Sequence, residues 1–126
     1  MKIAYNSALY PPAPFLSVQI SPLTNNRSES IPAKIDTGAD ITAIPSRLID
    51  QLGLVPADEI QVEGYDRRPA AIYSYDIILR IDRLQVAGLS VIALNEDYAL
   101  LGRDVLNQLK LLLDGPALNV EILGHK

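Results

Sequence analysis

The stretch Ile31-Pro32-Ala33-Lys34-Ile35-Asp36-Thr37-Gly38-Ala39-Asp40 decides how this chain is read. Residues 31–35 read as a short strand, and Asp36-Thr37-Gly38 follows without a spacer. Asp-Thr-Gly occurs once in the chain. Taken plainly, it is a tight turn that Asp36 opens and in which Gly38 supplies a permissive backbone. A given tripeptide arises by chance in a chain of this length with a probability on the order of one per cent. The motif alone therefore does not separate a turn from a site, and its surroundings must decide.

Upstream, Pro11, Pro12 and Pro14 hold the chain extended, so residues 1–14 are expected to be irregular. Residues 15–20 alternate as a strand, and 22–30 form a polar loop. Downstream, 41–44 reads as a further short strand. Ser46 has the character of an N-cap for a short helix that stops at Gly53. Residues 60–63 and 72–81 read as strands, with Gly64-Tyr65-Asp66-Arg67-Arg68-Pro69 as the hairpin tip between them. Residues 84–86 and 89–94 flank an expected turn at Ala87-Gly88. Leu100-Leu101-Gly102 precedes a second short helix, with Asp104 as its expected N-cap and 105–109 as its body. A last hairpin turns at Asp114-Gly115-Pro116 between 110–113 and 118–122. Seven or eight strands and two short helices indicate an all-β chain, either a barrel or a sandwich.

The 126 residues suit one domain, 1–126, with a single modest core. A net charge of −4 argues against nucleic acid as a main partner, because phosphate binding needs a basic face. No apolar run is long enough for a transmembrane helix, and the N-terminus lacks the apolar stretch of a signal peptide. The expected setting is cytoplasmic, with no membrane partner. There is no cysteine, which excludes disulfides and thiolate metal sites. The lone histidine, His125, sits next to the last residue, a poor base for a Ser-His-Asp or Cys-His mechanism or a histidine metal site. No metal and no cofactor are expected.

Two motifs in order, Ile35-Asp36-Thr37-Gly38-Ala39-Asp40 and Ala99-Leu100-Leu101-Gly102-Arg103-Asp104, with a candidate flap hairpin between them, resemble the single-domain, retroviral-type (retropepsin-like) aspartic proteases. The resemblance spans roughly residues 15–122. It implies an acid-protease β-barrel with one or two short helices, and an endopeptidase whose active site takes one Asp36 from each copy of a homodimer. Two carboxylates so close cannot both ionise and share a proton, the behaviour for which aspartic proteases are the standard example. One then activates water and the other polarises the scissile carbonyl of a peptide or protein substrate. The resemblance also implies that Thr37 bonds across the dimer axis and that Gly38 lets the substrate backbone come close. Asp40 would meet substrate main chain beside Ala39, with Arg103 paired to Asp40. Leu101 and Gly102 would cross behind the catalytic loop, Gly102 giving clearance. Gly64 and Tyr65 at the flap tip would cover the substrate, although this tip carries one glycine where retroviral flaps are glycine-rich.

Two other readings share these residues. A non-catalytic retropepsin-like module would keep the fold for dimerisation or peptide binding. An unrelated small β-barrel would be monomeric, without paired carboxylates. Thr37, Gly38, Asp40 and Arg103 together favour the enzyme.

Overall fold

The computed structural model describes residues 1–63 and 69–126. Among these, ten strands and two short helices follow one another. They are β1 (Lys2–Ala4), β2 (Phe15–Pro22), β3 (Glu29–Ile35), β4 (Ala43–Pro45), α1 (Ser46–Gln51), β5 (Asp58–Glu63), β6 (Pro69–Ile81), β7 (Leu84–Leu94), β8 (Ala99–Leu101), α2 (Arg103–Leu106), β9 (Leu109–Asp114) and β10 (Asn119–His125).

Six strands close a barrel. Neighbours run β2-β3-β8-β4-β7-β6, and β6 pairs back onto β2, so the ring leaves β5 as an extension on β6. Closure removes the open edges of these six strands. The period of two in the sequence fills the interior: Leu16, Val18 and Ile20 of β2, Ile31, Ala33 and Ile35 of β3, and Ile77, Leu79 and Ile81 of β6 are all buried. Leu48 of α1 and Val105 of α2 join the same core. The expected barrel is the one found; the sandwich is not.

Several local expectations are corrected. The segment 1–14 is not irregular throughout. Lys2–Ala4 pairs antiparallel with β10 from Lys2↔Glu121 to Ala4↔Asn119, and Asn6 bridges Ala13. Ile3 supplies the reason, since its side chain packs against the core beside Val120. β1, β10 and β9 thus form a second, three-stranded sheet. Ala87-Gly88 is not a turn. β7 runs straight through it, with Ile77 facing Leu89 and Ile78 facing Ala87. Gly88, at φ +72°, is the extra residue of a β-bulge, a left-handed position that suits glycine. The strand reverses instead at Asp82-Arg83, where Asp82 has φ +52°.

The helix starts also differ. Pro45 occupies the N-cap of α1, and the Ser46 hydroxyl donates to the Leu94 carbonyl instead of capping. The stop is as expected: Leu54 N–H reaches the Ile49 carbonyl and Gly53 N–H the Asp50 carbonyl, with Gly53 at φ +64°, a Schellman ending. Gly102, not Asp104, caps α2, because the Asp104 side chain is engaged elsewhere.

Candidate active site

β3 delivers Asp36 to the rim of the barrel. Ile35 points into the core, and the parallel pairing of β3 with β8 continues one residue beyond it, where Asp36 N–H donates to the Leu101 carbonyl at 3.0 Å. The chain then turns tightly. Ala39 N–H reaches back to the Asp36 carbonyl at 3.2 Å, and Gly38 N–H donates to Asp36 Oδ1 at 2.9 Å. That bond aims one carboxylate oxygen and leaves the half-buried group open to solvent. A side chain at 38 would crowd it, since a Cβ there would lie 3.2 Å from Oδ1. The turn reading and the site reading of Asp-Thr-Gly therefore describe one geometry.

The first residues of α2 hold the loop from behind. Arg103 N–H donates to the Ala39 carbonyl at 2.8 Å, and its Nη1 donates to the Thr37 carbonyl at 2.7 Å. The other terminal nitrogen pairs with the Asp40 carboxylate. Both partners are well exposed, so this ion pair adds at most about 1 kcal/mol and acts mainly to position the loop. Gly102 lies flat against the chain that leaves the loop. A Cβ on it would sit 2.8 Å from the Ile41 carbonyl carbon and 3.0 Å from the Ile41 nitrogen and oxygen.

A second anchor was not evident from the sequence. Thr42 is fully buried. Its hydroxyl donates to Asp104 Oδ1 at 2.7 Å and accepts the Gly102 N–H at 3.1 Å, while its backbone N–H donates to Asp104 Oδ2 at 2.9 Å. Asp104 Oδ1 also accepts the Val105 N–H at 2.9 Å. The local signal is a polar residue inside the apolar run Ile41-Thr42-Ala43-Ile44, which by itself reads only as a strand position. Its partner was hidden because Asp104 lies 62 residues away and reads locally as a cap.

The structure thus gathers Asp36, Thr37, Gly38, Ala39, Asp40, Leu101, Gly102 and Arg103 around one loop. Thr37 and Gly38 are exposed, Ala39 is half-buried, and Leu101 is wholly buried and takes part through its carbonyl. Asp40, expected beside substrate main chain, has its carboxylate on Arg103. Gly64 and Tyr65 lie outside the described residues. The strands leading to them, β5 and β6, pair antiparallel from Asp58↔Ser74 to Glu63↔Pro69.

The sequence model of the family described as aspartyl protease matches residues 21–105, which include both motifs. The chain belongs to that family. Among solved structures it is similar to a retropepsin-like aspartic protease from Rickettsia conorii, at 20% identity and a TM-score of 0.60, over 95% of this chain and 87% of that one. It is also similar to the simian foamy virus protease, at 20% identity and a TM-score of 0.55, over 71% of this chain and 88% of that one. The protease of EIAV, solved with the inhibitor HBY-793, matches at 18% identity and a TM-score of 0.55, over 83% of this chain and 92% of that one. The fold is that of the retropepsins. A comparison with curated protein sequences gave no match.

Proposed function

We propose that the chain is an aspartic endopeptidase that acts as a homodimer, each copy supplying one Asp36 to a shared site. The observation that carries this is the Asp36 carboxylate: it is aimed by Gly38 N–H, open to solvent, and held on a loop locked from behind by Arg103. With two such groups in hydrogen-bond reach, like charges disfavour double ionisation and one proton is shared. The ionised carboxylate takes a proton from water as it attacks the scissile carbonyl. The protonated one donates to the carbonyl oxygen, and the proton taken up then passes to the leaving amine. No covalent intermediate forms.

Two features support the second copy. Thr37 is exposed beside Asp36, so its hydroxyl is available to a partner loop. The β9–β10 hairpin leaves Leu112, Leu113, Leu118 and Leu123 about half-exposed, apolar side chains that a second copy would take out of water. For the compartment we keep the cytoplasm; no helix among the described residues is long and apolar enough to cross a membrane.

The test is Asp36→Asn, assayed on a denatured protein substrate. Asparagine keeps the shape but neither ionises nor acts as a base. Activity should fall at least about a thousandfold with the circular dichroism spectrum unchanged, in keeping with losses seen when an essential catalytic group is removed. Cleavage that persists in the variant would place the chemistry elsewhere. A folded wild type that cleaves nothing would favour the non-catalytic module.

A further inference from the structure

Resting on that reading, we infer that Lys34 is a specificity residue, selecting an acidic side chain next to the scissile bond of the substrate. The inference comes from the face of the sheet that carries Asp36. Ala33 and Ile35 point into the core, so Lys34 and Asp36 share the opposite face of β3, two residues or about 7 Å apart. The register fills in the rest. Lys34 pairs with Phe15 on one side and with Leu100 on the other, and cross-strand partners share a face. Tyr98, two residues before Leu100, lies on that face as well. Its ring meets Phe15 edge-on, with centroids 5.3 Å apart, so the two aromatics close over β3.

Lys34 therefore stands beside the Phe15–Tyr98 pair and two residues before the proposed catalytic carboxylate. It is half-buried, and among the described residues no carboxylate lies within 4.0 Å of its ammonium. A ligand carboxylate arriving there would give the ammonium a charge-assisted partner. Leu100, half-buried on the other side, supplies apolar surface for the methylene stem of such a side chain. The chemistry points to glutamate first and aspartate second. Each copy of the dimer brings one Lys34, so the preference applies to the residues on both sides of the cleaved bond. The proposed catalytic chemistry uses Asp36 and water and gives Lys34 no part.

The experiment compares kcat/KM on two peptides that differ only by Glu or Gln next to the cleaved bond. The pair is matched in shape and differs in charge. Wild type should favour Glu by about tenfold or more, the range of a charge-assisted hydrogen bond. Lys34→Met should bring the ratio close to one, and Lys34→Arg should keep most of it. The ratio is the readout, so a general loss of activity in a variant does not mimic the effect. Wild type that cleaves both peptides equally, or Lys34→Met that keeps the preference, overturns the inference and leaves the protease reading intact. Wild type that cleaves neither these peptides nor a denatured protein overturns both.

Discussion

At Gly102 one methyl group decides whether the Asp36 loop fits. Its φ of −87° is open to any residue, so the requirement is not conformational. It is steric: the Cβ would press on the Ile41 backbone at 2.8 to 3.0 Å, and backbone cannot swing aside as a side chain can. Gly102→Ala should destabilise the fold by about 1–3 kcal/mol, as overpacking in a filled interior does. It should also cost activity beyond the unfolded fraction, because the shifted segment leads straight from Asp36. Thermal melting together with kcat/KM at a temperature where the variant is folded measures both. A variant as stable and active as wild type would show that Ile41 can yield. Gly38 differs in kind, since what it leaves room for is the carboxylate oxygen of Asp36 itself.

At the scale of elements, the site depends on how α2 is tied to β4. The helix has four residues, too short to stand by propensity. Its place is held by Val105 and Leu106 in the core and by the Asp104 carboxylate on Thr42. Thr42→Val keeps the shape and removes the hydroxyl. That leaves the Gly102 N–H without its acceptor and Asp104 Oδ1 without one donor, in a part-buried place. The expected loss is about 2–3 kcal/mol, the range for an unsatisfied buried group next to a charge. Denaturant unfolding measures it. Thr42→Ser should recover most of the stability, because it restores the hydroxyl. If valine is tolerated and serine is no better, the network is not what holds α2. The same logic explains the mistaken expectation about Asp104: a local rule assigned its side chain to its own helix, while a long-range partner claimed it.

The whole molecule presents one Asp36 loop per chain, so the proposed chemistry sets a mass-action prediction. Where monomer predominates, the dimer fraction falls in proportion to total concentration. A tenfold dilution should then lower specific activity about tenfold. Sedimentation should show the dimer dissociating over the same range. Constant specific activity down to a demonstrably monomeric concentration would rule out a shared site. The terminal strands bear on how two copies meet. β1 already pairs with β10 within the chain, so in the proposed dimer the three-stranded sheet would meet its partner through the outer edge of β1 or of β9.

Much of this was legible along the chain. Alternation fixes which residues of β2, β3 and β6 face inward, because a strand has only two faces and the apolar one must leave water. Asp36, Gly102 and Arg103 announced themselves because their chemistry and spacing form two short local motifs. Gly53 marked the end of α1, since a left-handed residue there needs no tertiary help. Barrel closure was not local, for it depends on β6 returning to β2, and no residue of either strand encodes that contact alone. Gly88 read as a turn because only its pairing with β6 reveals a bulge. Lys2–Ala4 looked irregular because three residues carry too little pattern to show a strand whose partner lies near the other end of the chain. Thr42 with Asp104, and Lys34 beside Phe15 and Leu100, come together only once the strands are in register. The sequence by itself determined the chemistry carried to the barrel rim and the faces of the strands. The tertiary structure decided which distant side chains meet there, because hydrogen bonds and packing act across space with no regard for distance along the chain.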